Sequence, residues 1–233
     1  MNNFVKKKVL GVDISIASKR QILEYITKNL DRKYFIVTPN PELIVMANND
    51  SMYRKVLNGA GLALPDGVGL MWAGKILGVS LKERITGIDL VESLCQAVAK
   101  QPITVSFLGG GPKIAERAAE CLKKRFPSLK VKFAGPKITN FDKLKDTDIL
   151  FVAFGSPKQE LWIAKNLKQL PVRVAIGVGG SFDMISGKVP RAPLFIRNIG
   201  LEWIFRLIIQ PWRLKRQLRL LKFVFLVLRE KFK

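Results

Sequence analysis

The chain has no histidine, and 18 of its 233 residues are acidic against 40 lysines and arginines. Without an imidazole, Ser-His-Asp and Cys-His catalysis are excluded, and the commonest metal ligand is missing. A general base here must be a carboxylate or something less usual. Cysteine is scarce as well. Cys95 and Cys121 both fall in helix-like segments and read as reduced thiols, not as a disulfide framework. No uncharged run reaches the roughly 18 apolar residues needed to span a bilayer; the longest candidate, Phe223 to Leu228, is far too short. Behind Lys6, Lys7 and Lys8 the chain meets Gly11, Asp13 and Ser15, too soon for the apolar core of a signal peptide. There is no internal repeat and no low-complexity linker.

What is present is basic and unevenly spread. The formal charge is +22, so an anionic partner is expected: nucleic acid, anionic lipid or a phosphorylated substrate. Residues 203–233 carry nine lysines and arginines against a single acid, Glu230. Hydrophobic residues make up 48% of the chain, enough for one substantial core with an appendage.

Short apolar runs alternate with helical patterns. Strands are expected at Tyr34–Val37, Leu62–Leu64, Thr104–Leu108, Lys130–Phe133, Asp148–Phe154 and Val172–Ile176, with helices near 19–30, 41–57, 88–100, 112–125 and 158–168. That alternation predicts an α/β fold with a Rossmann-like, mostly parallel sheet and flanking helices. The catalytic domain is expected to span 1–193, with a basic, amphipathic, helical C-terminal appendage over 194–233. In the appendage, Leu214, Leu218, Leu221, Phe225 and Leu228 recur at helical spacing, Lys215, Arg216, Arg219, Lys222 and Arg229 lie beside them, and Trp203 and Trp212 suit a headgroup zone. The stripe therefore predicts a helix lying on a membrane surface; the alternative is a helix packed on the protein's own core or on a second copy. Apolar residues there and on helix 41–57 would also serve a homo-oligomer.

Five polar or glycine-rich motifs directly follow predicted strands: Thr38-Pro39-Asn40, Pro65-Asp66-Gly67-Val68-Gly69, Gly109-Gly110-Gly111-Pro112, Gly155-Ser156-Pro157-Lys158-Gln159-Glu160 and Gly177 to Asp183. Open α/β sheets bind ligands at the carboxyl ends of their strands, so five motifs on one edge carry more weight than any one of them. Asp66 is ordinary Asp-Gly turn chemistry by itself, but its place makes it the candidate general base. Thr38 and Asn40 offer a hydroxyl and an amide beside it, and Asn40 is also placed to cap the next helix. Arg84 is suited to gripping a diphosphate. The glycines at 109–110 and 179–180 allow close approach to phosphate, though the first set is neither GxGxxG nor a Walker loop. Gln159, Asp183 and Arg191 complete the substrate-binding candidates. Arg213, Arg216 and Arg219 are candidates for a lipid diphosphate. If they reach over the site, removing residues 196–233 should abolish turnover while leaving a folded domain. Asp146-Thr147-Asp148 is an Asp-x-Asp pair of the kind that holds divalent metal, but it sits at the start of its strand and so on the opposite edge. No metal and no cofactor is expected.

Taken as an ordered set with Arg84-Ile85-Thr86-Gly87-Ile88-Asp89, Arg191-Ala192-Pro193 and Gly200-Leu201-Glu202-Trp203, these motifs resemble the WecG/TagA/CpsF family of bacterial glycosyltransferases over almost the whole chain. The resemblance implies sugar transfer from a UDP-sugar donor to an undecaprenyl-diphosphate-linked sugar acceptor. The members it most resembles add N-acetylmannosamine to GlcNAc-diphosphate-undecaprenol, a wall teichoic acid linkage step. It further implies inversion without metal, at the cytoplasmic face of the cell membrane. By the same analogy Asp66 deprotonates the acceptor hydroxyl, Thr38 helps position sugar and Arg84 steadies diphosphate charge. Alternatives are another UDP-sugar (the uronic acid of N-acetylmannosamine, or glucose), a basic nucleic-acid-binding protein, a dehydrogenase and a membrane scaffold. The sequence lacks a helix-turn-helix pattern, zinc spacing or RNP-like strand, so no nucleic-acid partner is expected. It also lacks the dehydrogenase fingerprint.

Overall fold

The computed structural model describes residues 4–233, except the side chains of residues 215–217. A small antiparallel hairpin comes first, β1 (Lys6–Val9) and β2 (Val12–Ser15), turning on Leu10 and Gly11, both with positive φ. Its lysine-rich first strand carries no apolar alternation, which is why the sequence pattern does not predict it. There follow α1 (Lys19–Lys28), β3 (Tyr34–Val37), α2 (Pro41–Asn49), α3 (Ser51–Asn58), β4 (Leu62–Ala63), α4 (Val68–Ile76), α5 (Gly87–Val98) and β5 (Thr104–Gly109). Then come α6 (Ile114–Arg125), β6 (Lys130–Gly135), β7 (Thr147–Ala153), α7 (Lys158–Asn166), β8 (Val172–Gly177) and α8 (Ser181–Ile185). The C-terminal segment holds α9 (Leu194–Asn198), α10 (Glu202–Ile209) and α11 (Leu214–Lys231).

Six strands form one sheet in the order β4-β3-β8-β7-β5-β6, and every neighbouring pair is parallel. An all-parallel sheet needs both faces covered, and the side chains divide accordingly. Along β7, Ile149 and Phe151 enter the core under α1, α5, α6 and α8, while Leu150 and Val152 enter the core under α2, α3, α4, α7 and α11. The six predicted strands all form, with ends shifted by at most two residues.

Two departures from expectation have local causes. The helix expected over 41–57 is broken at Asp50, whose carboxylate accepts from the backbone N–H groups of Met52 and Tyr53 and so caps a new helix. Helix α4 was not expected because Gly69 and Gly74 weaken its pattern. Both are close-contact sites: a Cβ on Gly69 would lie 2.7 Å from Pro41, and one on Gly74 would lie 2.8 Å from the Val79 carbonyl.

The C-terminal helix has two apolar faces. Phe223, Leu226 and Val227 are buried in the core shared with α2 and α4. The stripe read from the sequence, Leu214, Leu218, Leu221, Phe225 and Leu228, is exposed. Removing residues 196–233 would therefore also uncover the α2–α4 face, so point substitutions separate function from folding more cleanly than truncation. Phe223→Ala should lower stability by about 3 kcal/mol in urea unfolding, because it removes a fully buried ring.

Candidate active site

The carboxyl edge of the sheet is hollow. A cavity of about 700 Å³ opens there, in the range that holds a substrate-sized ligand. Its wall takes Thr38 from the end of β3, Asp66 after β4, Gly110 after β5, Ser156 after β7 and Gly179 after β8. All five strand-end motifs thus meet in one place. The C-terminal segment supplies the remaining side, through Gly200, Glu202, Trp203, Arg206, Arg213 and Leu220.

Asp66 is the best-placed acid on this wall. Its backbone N–H donates to the Pro39 carbonyl at 2.8 Å, tying the β4 turn to the Thr38-Pro39-Asn40 turn. Burial raises its carboxyl from the ordinary 3.8 to about 7, helped by the negative charge of Glu202 and, less, of Asp89; Arg206 and Arg84 pull the other way. Its side chain is partly open to the cavity and enclosed by protein elsewhere.

The neighbours are fixed by specific bonds. Thr38 is buried and its hydroxyl donates to the Gly177 carbonyl at 3.2 Å, joining the ends of β3 and β8. Asn40 caps α2 by accepting from the Leu43 N–H, which leaves its amide NH2 for the cavity. Arg84 lies on the wall and reaches the Arg197 carbonyl at 3.4 Å. Asp183 faces Lys188 at 3.8 Å.

Several residues expected to bind substrate do other work. Gly109 is not on the wall. Its φ of +116° and the 2.7 Å approach that a Cβ would make to Ala153 show a glycine required for strand packing. Gly110 is on the wall, but its N–H donates to the Ala153 carbonyl. The Gly179 N–H donates to Gln159 Oε1 at 2.9 Å, so neither N–H points freely at a ligand, whereas Gly180 lies within reach of Arg206. Arg191 is also off the wall, braced against Asp89 and Glu92 on α5. Arg213 lines the cavity, and Arg219 instead pairs with Glu42 of α2. Arg216 lies outside the described side chains. The Asp146-Thr147-Asp148 segment sits at the opposite edge: Asp148 accepts from the Thr104 N–H and Asp146 faces Lys132. Among the described residues no group of three or more His, Cys, Asp or Glu side chains is arranged to hold a metal.

The sequence reading assigned no site role to Glu202, Arg206 or Lys188. Glu202 and Arg206 are four residues apart on α10 and therefore share one helix face, a spacing that runs from the Gly200–Trp203 motif into the residues just after it. Glu160 is wholly buried. It accepts from Ser156, Gln159 and Tyr53, and burial raises its carboxyl despite these bonds. With Gln159 Nε2 held by Glu160, the Gln159 carbonyl is turned to the Gly179 N–H, which fixes the turn after β8.

Residues 7–233 match the model of the glycosyl transferase WecG/TagA/CpsF family. The chain belongs to that family. Among curated proteins it is 36% identical over 225 residues to an N-acetylglucosaminyldiphosphoundecaprenol N-acetyl-beta-D-mannosaminyltransferase of Bacillus spizizenii, covering 94% of this chain and 88% of the relative. Proteins of the same name from Bacillus subtilis (32% identical; 89% and 85% covered) and Staphylococcus aureus (30%; 92% and 89%) are also similar. This WecG/TagA/CpsF protein is a glycosyltransferase.

The state of Asp66 has a consequence for folding. A carboxyl whose proton affinity is raised in the folded state opposes folding once ionised. The penalty is absent below about pH 4, grows as pH rises toward 7 and is constant above. Asp66→Asn removes it. The variant should match wild type in urea stability at pH 4 and exceed it by on the order of 4 kcal/mol at pH 8.

Proposed function

We propose that the protein transfers N-acetylmannosamine from UDP-N-acetylmannosamine to GlcNAc-diphosphate-undecaprenol, with inversion and without metal. The observation that carries this reading is Asp66, an enclosed acid at the meeting point of the strand-end motifs, facing Arg84 and Arg206 across one cavity. The names of the relatives supply the sugar and the lipid-linked acceptor. By this reading the step belongs to wall teichoic acid linkage-unit synthesis.

In the proposed reaction the donor's diphosphate lies toward Arg84, Arg206 and Arg213, and its sugar lies toward Asp66 and Thr38. An acceptor hydroxyl gives its proton to the Asp66 carboxylate as its oxygen attacks the anomeric carbon from the face opposite UDP. The new C–O bond forms while the bond to the β-phosphate oxygen breaks, and UDP leaves with that electron pair. Charge grows on the departing diphosphate, where fixed cations act most strongly. One carboxylate and an in-line attack suffice for inversion, and the arginines offer the charge that a divalent ion would otherwise supply.

The acceptor's lipid would stay in the membrane. Among the described residues no helix is long and apolar enough to cross one. The C-terminal segment instead exposes Phe195, Ile208, Trp212, Leu218, Leu221 and Phe225, side chains of the kind that lie on a bilayer. Peripheral attachment at the cytoplasmic face, where UDP-sugars are made, fits this arrangement. Together these features favour a catalytic domain over 1–193 served by a membrane-facing segment over 194–233.

The test is UDP release from UDP-N-acetylmannosamine with a GlcNAc-diphosphate-lipid acceptor, with and without EDTA. Wild type should release UDP only with acceptor and equally with EDTA, and Asp66→Asn should lose at least a hundredfold. An active Asp66→Asn would remove Asp66 as base, and activity on only another UDP-sugar would replace the donor.

A further inference from the structure

Besides Asp66 the cavity wall carries Glu42, Asp183 and Glu202, none of which the reaction above uses; Glu42 is paired with Arg219 and Asp183 faces Lys188. Residues 194–233 include two acids, Glu202 and Glu230, and Glu202 lies on the cavity wall with Asp66. Its position is set by a close backbone contact. Gly200 has φ +81°, and a Cβ there would lie 2.6 Å from the Val68 side chain, so the chain at 200 rests directly on the start of α4. Asp66 is two residues before Val68 and Glu202 is two residues after Gly200. The contact therefore holds together the two stretches of backbone that carry these acids, and both acids line the cavity. Helix α10 starts at Glu202, so the segment has little freedom to carry this acid elsewhere once Gly200 is seated.

Glu42, Asp183, Lys188 and Arg213 also line the cavity, but the charges that act on Asp66 besides Glu202 are Arg206, Arg84 and Asp89. Arg84 approaches from the loop before α5, and Arg206 from one turn further along α10; both favour ionised Asp66. Asp89 on α5 opposes it weakly and is itself engaged by Arg191. Glu202 is thus the principal neighbouring negative charge, and it reaches Asp66 only through the C-terminal segment.

We propose that Glu202 is a positioning residue of the transfer reaction: the docked C-terminal segment sets its charge beside Asp66, and this makes Asp66 a stronger proton acceptor. The inference rests on the reading of Asp66 as the base. Two carboxylates in one poorly solvated cavity do not ionise independently, and the more enclosed one holds its proton longer. A base whose proton affinity lies near neutrality takes up the hydroxyl proton more readily than an ordinary aspartate, yet is still ionised in a useful fraction at pH 7. Docking would then do two things in one movement, bringing Arg206 and Arg213 to the leaving group and Glu202 to the base. The two effects on Asp66 have opposite sign. The arginines keep the acid ionisable, and Glu202 keeps it basic.

The experiment compares full-length wild type with Glu202→Gln and Glu202→Asp, by two readouts. The first is the titration midpoint of the Asp66 carboxyl carbon by NMR on Asp-labelled protein without substrate. The second is the pH profile of kcat/KM for UDP release. Glu202→Gln should lower the Asp66 midpoint by about one pH unit, move the acid limb of kcat/KM down equally, and reduce kcat on the plateau about three- to tenfold, leaving donor KM nearly unchanged. Glu202→Asp, which keeps the charge, should restore both. An Asp66 midpoint unmoved in Glu202→Gln, or Glu202→Asp behaving as Glu202→Gln does, overturns the proposal. A midpoint that moves while the acid limb stays fixed overturns instead the assignment of Asp66 as base.

Discussion

A carboxyl group enclosed by protein must either keep its proton or be held among charges that let it ionise, and Asp66 places that demand at the centre of this site. Burial and Glu202 push its proton affinity up to about 7, and Arg84 and Arg206 hold it there against a further rise. Much of the surrounding structure follows from holding these groups in register. The Asp66 N–H is tied to Pro39, Thr38 to Gly177, and the Gly179 turn to Gln159 and through it to Glu160. The first three bonds tie neighbouring strand ends together and the last fixes the Gln159 side chain, so the wall is one connected unit.

The second constraint is closure. A parallel sheet leaves its carboxyl edge open, and here the C-terminal segment covers part of it. That cover depends on small residues where backbones meet: Gly200 on Val68 and Gly69 against Pro41 and Leu220. It is anchored by Phe223 and Val227, which are as buried as any strand residue. The same helix turns Leu218, Leu221 and Phe225 outward. One element thus fills the core, walls the cavity and presents an apolar surface.

The sheet was legible because its strands are short apolar runs separated by helical periods, a pattern that two buried faces impose. The hollow at the carboxyl edge was legible because polar residues directly after strands point there whatever their local turn. Thr38, Asp66 and Gln159 were found this way. What could not be read were roles set by who meets whom across the fold. Arg191 looks like a substrate cation until Asp89 and Glu92 are seen beside it. Gly109 looks like a phosphate glycine until Ala153 is found at its back. Glu202 and Arg206 carried a helical spacing, yet nothing in the sequence says that α10 turns that face toward Asp66. The buried face of α11 was hidden because the more regular stripe beside it is the exposed one.

The most direct measurement is a structure of Asp66→Asn protein with UDP-N-acetylmannosamine bound. The account predicts the diphosphate among Arg84, Arg206 and Arg213, with the anomeric carbon facing residue 66 across the space of one attacking hydroxyl. A donor bound away from the strand-end cavity, or bound there with its sugar turned from residue 66, would contradict it.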